Sequence, residues 1–221
     1  MSRVIAIDGP AASGKSSTAA AVAKALGALH LDSGALYRGL TRVALDAGTT
    51  DPGKVLEAAE RRHLTLRLDG AEIVPYLDGA PAESLIRSSE VTAGVSEIAA
   101  IGPCRDWVNI RLRAAAAGDR VLVLDGRDIG TAVFPDARLK VFLTASPESR
   151  ARRRLAQRGE LFDAQSLARE TGSLAARDAT DSSRPIAPLR QADDAVVLDT
   201  TDLTFRAQVD VIVGLAAKIL S

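Results

Sequence analysis

Gly9, Pro10, Ala11, Ala12, Ser13, Gly14, Lys15 and Ser16 follow the pattern G-x-x-x-x-G-K-S, and Ser17 comes next. These residue types at this spacing suit one kind of ligand, a chain of phosphates. The two glycines let the backbone bend so that several N–H groups point inward at phosphate oxygens. A helix beginning at the loop adds its positive end. Lys15 can reach the outer phosphates of a nucleoside triphosphate, and the Ser16 hydroxyl can hold Mg²⁺. The motif therefore points to a triphosphate with Mg²⁺ and leaves the phosphate acceptor open.

Three further groups of residues could do chemistry beside the phosphate loop. Ser33, Tyr37 and Arg38 fall at the start of a predicted helix. There they either cap the helix beside a solvated arginine or bind an anion. Asp125, Arg127 and Asp128 follow the apolar run Val121–Leu124. They form either a strand-end ion pair or part of a site, since open parallel sheets bind ligands beyond the carboxyl ends of their strands. Arg150, Arg154 and Arg158 share one helical face at i, i+4 and i+8. Like charges so placed repel unless solvated or met by an anion, and at least one is expected to belong to a lid over the triphosphate. Downstream, Arg177, Asp181 and Arg184 share a face that can present two guanidinium forks flanking a carboxylate. Ser96 and Arg105 lie on either side of a helix break at Gly102-Pro103.

The elements that must position these residues can be read from periodicity. Buried strands are expected at about 3–7, 28–31, 121–125, 138–143 and 195–198, with helices between them. That pattern is a doubly wound, five-stranded parallel α/β sheet. Ser146 and Pro147 mark a helix start. Between the second and third strands lies a long insertion. Within it, residues 63–68 alternate with period two, Asp69-Gly70 is a hairpin turn signal, and residues 72–74 and 76–77 are short strand-like pieces, predicting a small antiparallel unit at about 63–78. The expected organisation is a core of residues 1–33 and 119–221, an inserted acceptor-binding region at 34–118, and a lid at about 152–184.

The segments IDGPAASGKSS, LDSGALYR, IRSSEV, VLDGRDIGTAVFPDA and RDATDSSRPIAPL occur in this order along nearly the whole chain. Together they resemble the cytidylate kinase family, a bacterial branch of the nucleoside-monophosphate kinases. The resemblance implies phosphoryl transfer from ATP to CMP or dCMP. It implies that residues Gly9 to Ser17 and Arg154 bind ATP. Ser33, Arg38 and Arg127 would hold the acceptor phosphate. Ser96, Arg105, Asp128 and Arg184 would read cytosine, and Arg177 and Asp181 would contact the sugar. Lys15, Arg127 and Arg154 would neutralise the group in transfer. Cytosine offers an amino donor that Asp128 can accept, whereas uracil offers a carbonyl there. A kinase for a different small acceptor, UMP or another metabolite, is the alternative.

Bulk properties narrow the classes further. The 221 residues carry 28 basic and 28 acidic side chains, so no net charge argues for a nucleic-acid or membrane-surface partner. One cysteine leaves no intrachain disulfide and no zinc cluster. The chain enters its first strand at once, without room for a signal peptide, and no apolar run reaches membrane-spanning length. A cytoplasmic monomer is expected. Asn109 is the only asparagine and Ile110 follows it, so the guanine-reading N-K-x-D motif of a GTPase is impossible.

Overall fold

A computed structural model describes residues 3–160 and 162–220. The five expected parallel strands form, in spatial order β2 (Leu29–Asp32), β6 (Leu122–Gly126), β1 (Val4–Asp8), β7 (Leu139–Thr144) and β8 (Val196–Asp199). Each runs one residue beyond its expected end. Apolar runs do not show how far the ladder continues: Asp8 pairs with Gly126, and Asp32 with Asp125. The last strand was expected to be buried, but Val196 and Val197 are exposed, because β8 lies at the edge of the sheet.

Alternation along β1 divides the core. Ile5 and Ile7 face Ala19, Val22 and Ala23 of α1 (Lys15–Leu26) and Ile212 and Ala216 of α9 (Phe205–Leu220). Val4 and Ala6 face the opposite layer, which holds Leu36, Leu40 and Val43 of α2 (Ser33–Ala47) and Trp107, Val108 and Leu112 of α6 (Gly102–Ala115). Small side chains on α1 let it lie close to the sheet.

The insertion holds α2, α3 (Pro52–Arg61), the hairpin β3 (Thr65–Asp69) and β4 (Glu72–Leu77), the short β5 (Ala80–Pro81), α4 (Glu83–Ile86), α5 (Ser89–Ala100) and α6. The hairpin forms where alternation placed it. It does not make a separate small sheet: β4 joins β2 through His30 and Glu72, giving one sheet of eight strands among the described residues. An edge strand presents unpaired N–H and C=O groups, and the hairpin covers them, with the His30 N–H donating to the Ala71 carbonyl at 3.0 Å. The helix break at Gly102-Pro103 is present, with Pro103 in the first turn of α6. Asp32, one residue before the expected Ser33, caps α2 by accepting from the Gly34 N–H at 2.8 Å.

After β6 comes a wide π-helical turn, Ile129–Val133. After β7, α7 (Pro147–Arg158) starts with Ser146 as its cap. It packs on α8 (Ala164–Ser183), which opens with a capping box between Asp163 and Ser166. Among the described residues no helix is long and apolar enough to cross a membrane.

Gly9 makes the strand-to-loop turn possible. Its φ is +149°, and a Cβ there would stand 2.0 Å from the Leu143 carbonyl oxygen. That contact is with backbone, so side-chain adjustment cannot relieve it. Gly9→Ala is expected to lower unfolding free energy by about 3 kcal/mol or more, measured by denaturant titration. A loss under about 0.5 kcal/mol, within the range of ordinary surface changes, would contradict this packing.

Candidate active site

The carboxyl ends of β1, β2 and β6 lead into the phosphate loop, the start of α2 and the loop bearing Arg127 and Asp128, while α5, α6, α7 and α8 supply the other candidate residues. On the donor side, Gly14 precedes α1 with φ +93° and no side chain caps that helix. No acidic residue stands in its first turn. The first N–H groups of α1 are therefore left for an external acceptor. Lys15 is buried, its Nζ donating to the Pro10 carbonyl at 2.6 Å and reaching Ser13 Oγ at 3.4 Å. Burial, together with the nearby charge of Arg127, holds its ammonium well below the ordinary lysine range. An anion beside it would relieve both effects. The Ser16 hydroxyl donates to Asp125 Oδ2 at 2.5 Å. A hydroxyl beside a carboxylate is a hard-oxygen donor set that suits Mg²⁺, which takes few protein ligands and completes its shell with water and phosphate oxygens.

His30 takes the other oxygen of Asp125, at 2.9 Å from Nε2. His30 pairs with Val123 across β2 and β6, so Asp125, two residues further on, shares its face. Burial disfavours the imidazolium, but the hydrogen bond and charge of Asp125 outweigh it and raise the pKa of His30.

Beyond the phosphate loop, Ser33 Oγ donates to the Asp125 carbonyl at 2.8 Å. Arg38 is buried, and its Nη1 donates to Thr92 Oγ1 at 2.9 Å. Asp181 joins two expected residues: Ser96 Oγ donates to its Oδ1 at 3.1 Å, and Arg127 Nε to its Oδ2 at 3.0 Å. Asp128 sits between two arginines. Arg105, itself 1% exposed, bonds Oδ2, while Arg184 Nη2 donates to Oδ1 at 3.0 Å. Burial pushes the Asp128 carboxyl up against the opposing pull of these cations. Each of its oxygens keeps a lone pair for a further donor.

The arginines set the electrostatics. Burial, with the charges of Arg177 and Arg87, holds Arg38 at about 10. Burial and Arg127 hold Arg177 at about 10 as well, with Arg154 adding to the effect. Both remain cationic at neutral pH. The Nε of Arg177 has no partner although it is buried. Of the lid-face arginines, Arg150 pairs with Asp178 and Arg158 with Glu160 and Glu170. Arg154 has no carboxylate partner among the described residues and donates to Gln157 Oε1 at 3.0 Å.

The structure thus brings together Ser33, Arg38, Ser96, Arg105, Arg127, Asp128, Arg177, Asp181 and Arg184 as one connected cluster beside the phosphate loop. Several participants carried no local signal. Asp178 accepts from the Ala11 N–H at 2.8 Å, 167 positions away in sequence. Arg153 donates to the Ser13 carbonyl at 3.3 Å and to the Thr200 carbonyl at 2.5 Å. Thr92 and Asp8 likewise gain their partners only through the tertiary fold.

A family model described as Cytidylate kinase matches residues 5–218. A protein named Cytidylate kinase from Streptococcus equi subsp. equi is 42% identical over 221 residues, covering 98% of this chain and 96% of that protein. Another of the same name from Streptomyces griseus subsp. griseus is 43% identical over 215 residues, covering 96% and 91%. Among solved structures, an uncharacterized protein from Eubacterium ventriosum matches with a TM-score of 0.50 at 11% identity, covering 97% of this chain and 98% of that one. That last likeness concerns the fold alone.

Asp8 ends β1 beneath this cluster. Its two oxygens accept from the Ile129 and Gly130 amides at 2.8 and 2.7 Å. Burial nonetheless pushes its carboxyl from 3.8 up to about 6. The folded state thus holds this proton more tightly than the unfolded chain. The resulting stability is full below pH 4 and lost as pH rises through 6, by about 3 kcal/mol in all. Unfolding curves of the wild type and Asp8→Asn should therefore differ in pH slope between pH 4 and 7, the wild type losing more. Parallel slopes would contradict the assignment.

Proposed function

The chain belongs to the cytidylate kinase family, and from that premise we propose that it transfers the γ-phosphoryl group of ATP to CMP or dCMP, giving ADP and CDP or dCDP. One observation carries the reading. The charges of Arg127 and Arg154 reach Arg177, and those of Arg154 and Arg177 reach Arg38, closely enough to help hold the pKa of each recipient down, immediately beside a phosphate loop with uncapped amides. Such an excess of guanidinium charge suits a second phosphate facing the first.

The reaction needs alignment and charge neutralisation more than proton transfer. The attacking oxygen belongs to an acceptor phosphate whose second pKa is about 6, so it is largely ionised at pH 7 without a base. Lys15 and the α1 amides hold the donor phosphates. Arg38, Arg127 and Ser33 hold the acceptor phosphate. Arg154, which among the three arginines on that face of α7 is the one without a carboxylate partner among the described residues, stabilises the group in transfer; an arginine in that role contributes about 10³–10⁵ in rate. Mg²⁺, held through Ser16 with Asp125 beside it, supplies further neutralisation of the phosphates when bound. Ser96, Arg105, Asp128 and Arg184 read the base, and Arg177 and Asp181 the sugar. Residues 34–118 act as the acceptor-binding region and about 152–184 as the lid, which excludes water from the transfer. The balanced charge fits an enzyme without a nucleic-acid partner; the reading also takes it to work as a cytoplasmic monomer.

The direct test is ADP formation from Mg-ATP with CMP, dCMP, UMP, AMP, GMP and shikimate as separate acceptors. High turnover with CMP and dCMP and low turnover with UMP is expected. Turnover confined to another acceptor would keep a kinase and discard the cytosine-reading roles. Asp128→Asn should lower kcat/KM for CMP by about tenfold to a hundredfold and narrow the CMP/UMP gap, because an amide can donate as well as accept. An unchanged gap would remove Asp128 from base selection.

A further inference from the structure

We propose that Arg150 and Asp178 are positioning residues for the donor phosphates, acting through the backbone of Ala11. The proposal rests on the reading of the chain as an ATP-dependent kinase and adds to it a pair that works at one remove from the substrate.

The pair closes on a single residue from both sides. The Ala11 N–H donates to Asp178 Oδ1 at 2.8 Å. Arg150 Nη1 donates to the Ala11 carbonyl at 3.0 Å, and the same nitrogen donates to Asp178 Oδ2 at 2.5 Å. The Ala11 side chain meets Ala151 of α7 and Leu174 of α8 in a small buried cluster, with Ala12 and Leu167 against it. The tip of the phosphate loop is therefore moulded on the two helices that carry the lid arginines. Ala12, the next residue, is held in a left-handed conformation with φ 57° although it is not glycine. A backbone so placed persists only where its surroundings over-determine it. Fixing both polar groups of Ala11 does so. It also turns the Ala11 amide toward Asp178, so the loop residues after it supply the donors that face phosphate.

The two partners are not equivalent. A lone carboxylate at Asp178 would stand beside the donor phosphates and repel them; Arg150 cancels that charge. A lone arginine at position 150 would lose the brace yet leave a cation near an anion. Removing Arg150 should thus harm ATP binding more than removing Asp178, and removing both should be milder than removing Arg150 alone. A salt bridge that merely stabilised the fold would show no such ordering.

The experiment measures binding of a fluorescent ATP analogue to the full-length protein, with KM values for ATP and CMP alongside. Arg150→Met should weaken analogue binding by about thirtyfold and Asp178→Asn by about tenfold. The double variant should bind more tightly than Arg150→Met. KM for CMP should stay within about threefold throughout, because the brace acts on the donor loop. Arg150→Lys should stay within about threefold of wild type, since one nitrogen makes both contacts and an ammonium has donors enough. Should Arg150→Met not fold, Asp178→Asn and Arg150→Lys carry the same comparison. Unchanged analogue binding, or equal losses for ATP and CMP, would overturn the proposal. Wild-type protein that binds the analogue yet phosphorylates neither CMP nor any other acceptor of the panel would overturn the kinase assignment instead, and the ordering among variants would still decide the role of the pair.

Discussion

Arginines that repel one another across a single cleft are the constraint on which the site depends. Arg38 and Arg177 are each held at about 10 by burial and by neighbouring guanidinium charge. Keeping such charges close and partly out of water is costly. The fold contains that cost with carboxylates that reach some arginines and leave others free. Asp181 takes Arg127, Asp128 takes Arg105 and Arg184, and Asp178 takes Arg150. What remains, at Arg38, Arg154 and Arg177, is positive charge without a carboxylate partner among the described residues. Under the proposed reaction, a nucleotide phosphate would complete that arrangement, and two phosphates facing each other would complete it on both sides.

The sheet makes this arrangement possible. Parallel strands bring Asp8, Asp32, Asp125 and the loop after Gly126 to one edge. The β1–β6 register, Asp8 opposite Gly126, sets the phosphate loop and the loop bearing Arg127 and Asp128 side by side. Asp8 then joins them, because its carboxylate accepts from Ile129 and Gly130 in the π-helical turn. Gly126 is needed for the same closeness: a Cβ there would stand 2.5 Å from Ser33 Oγ. The two loops thus share one edge of the sheet, and α7 follows β7 at that same edge, because β7 runs parallel to β1.

Much of this was legible in the residues themselves. The phosphate loop, the five apolar strands, the helix break at Gly102-Pro103 and the period-two hairpin are local patterns, and local patterns survive folding. Arg177, Asp181 and Arg184 were visible as one helical face, although in the fold that face is divided: Asp181 turns to Ser96 and Arg127, and Arg184 to Asp128. The contacts that were not legible join distant segments. Neither the grip of Asp178 on Ala11 nor the seat of His30 against Asp125 has a spacing to betray it. Among three arginines on one face of α7, sequence could not separate the paired Arg150 and Arg158 from Arg154, because their carboxylate partners come from elsewhere in the chain. The hairpin was read correctly as a hairpin, but its union with β2 depended on which edge of the sheet lay open.

The central claim is that two phosphate sites face each other within bonding distance of one shared set of arginines. The most direct measurement is the affinity of adenosine and cytidine joined 5′ to 5′ through five phosphates, compared with ATP and CMP separately. The account predicts that the linked compound binds at least about a hundredfold more tightly than either nucleotide alone, since the second engagement becomes intramolecular. It also predicts that the matching compound with two adenosines lacks most of this gain. Affinity no better than that of ATP would contradict the claim, because it would mean that the two phosphate sites cannot be filled together.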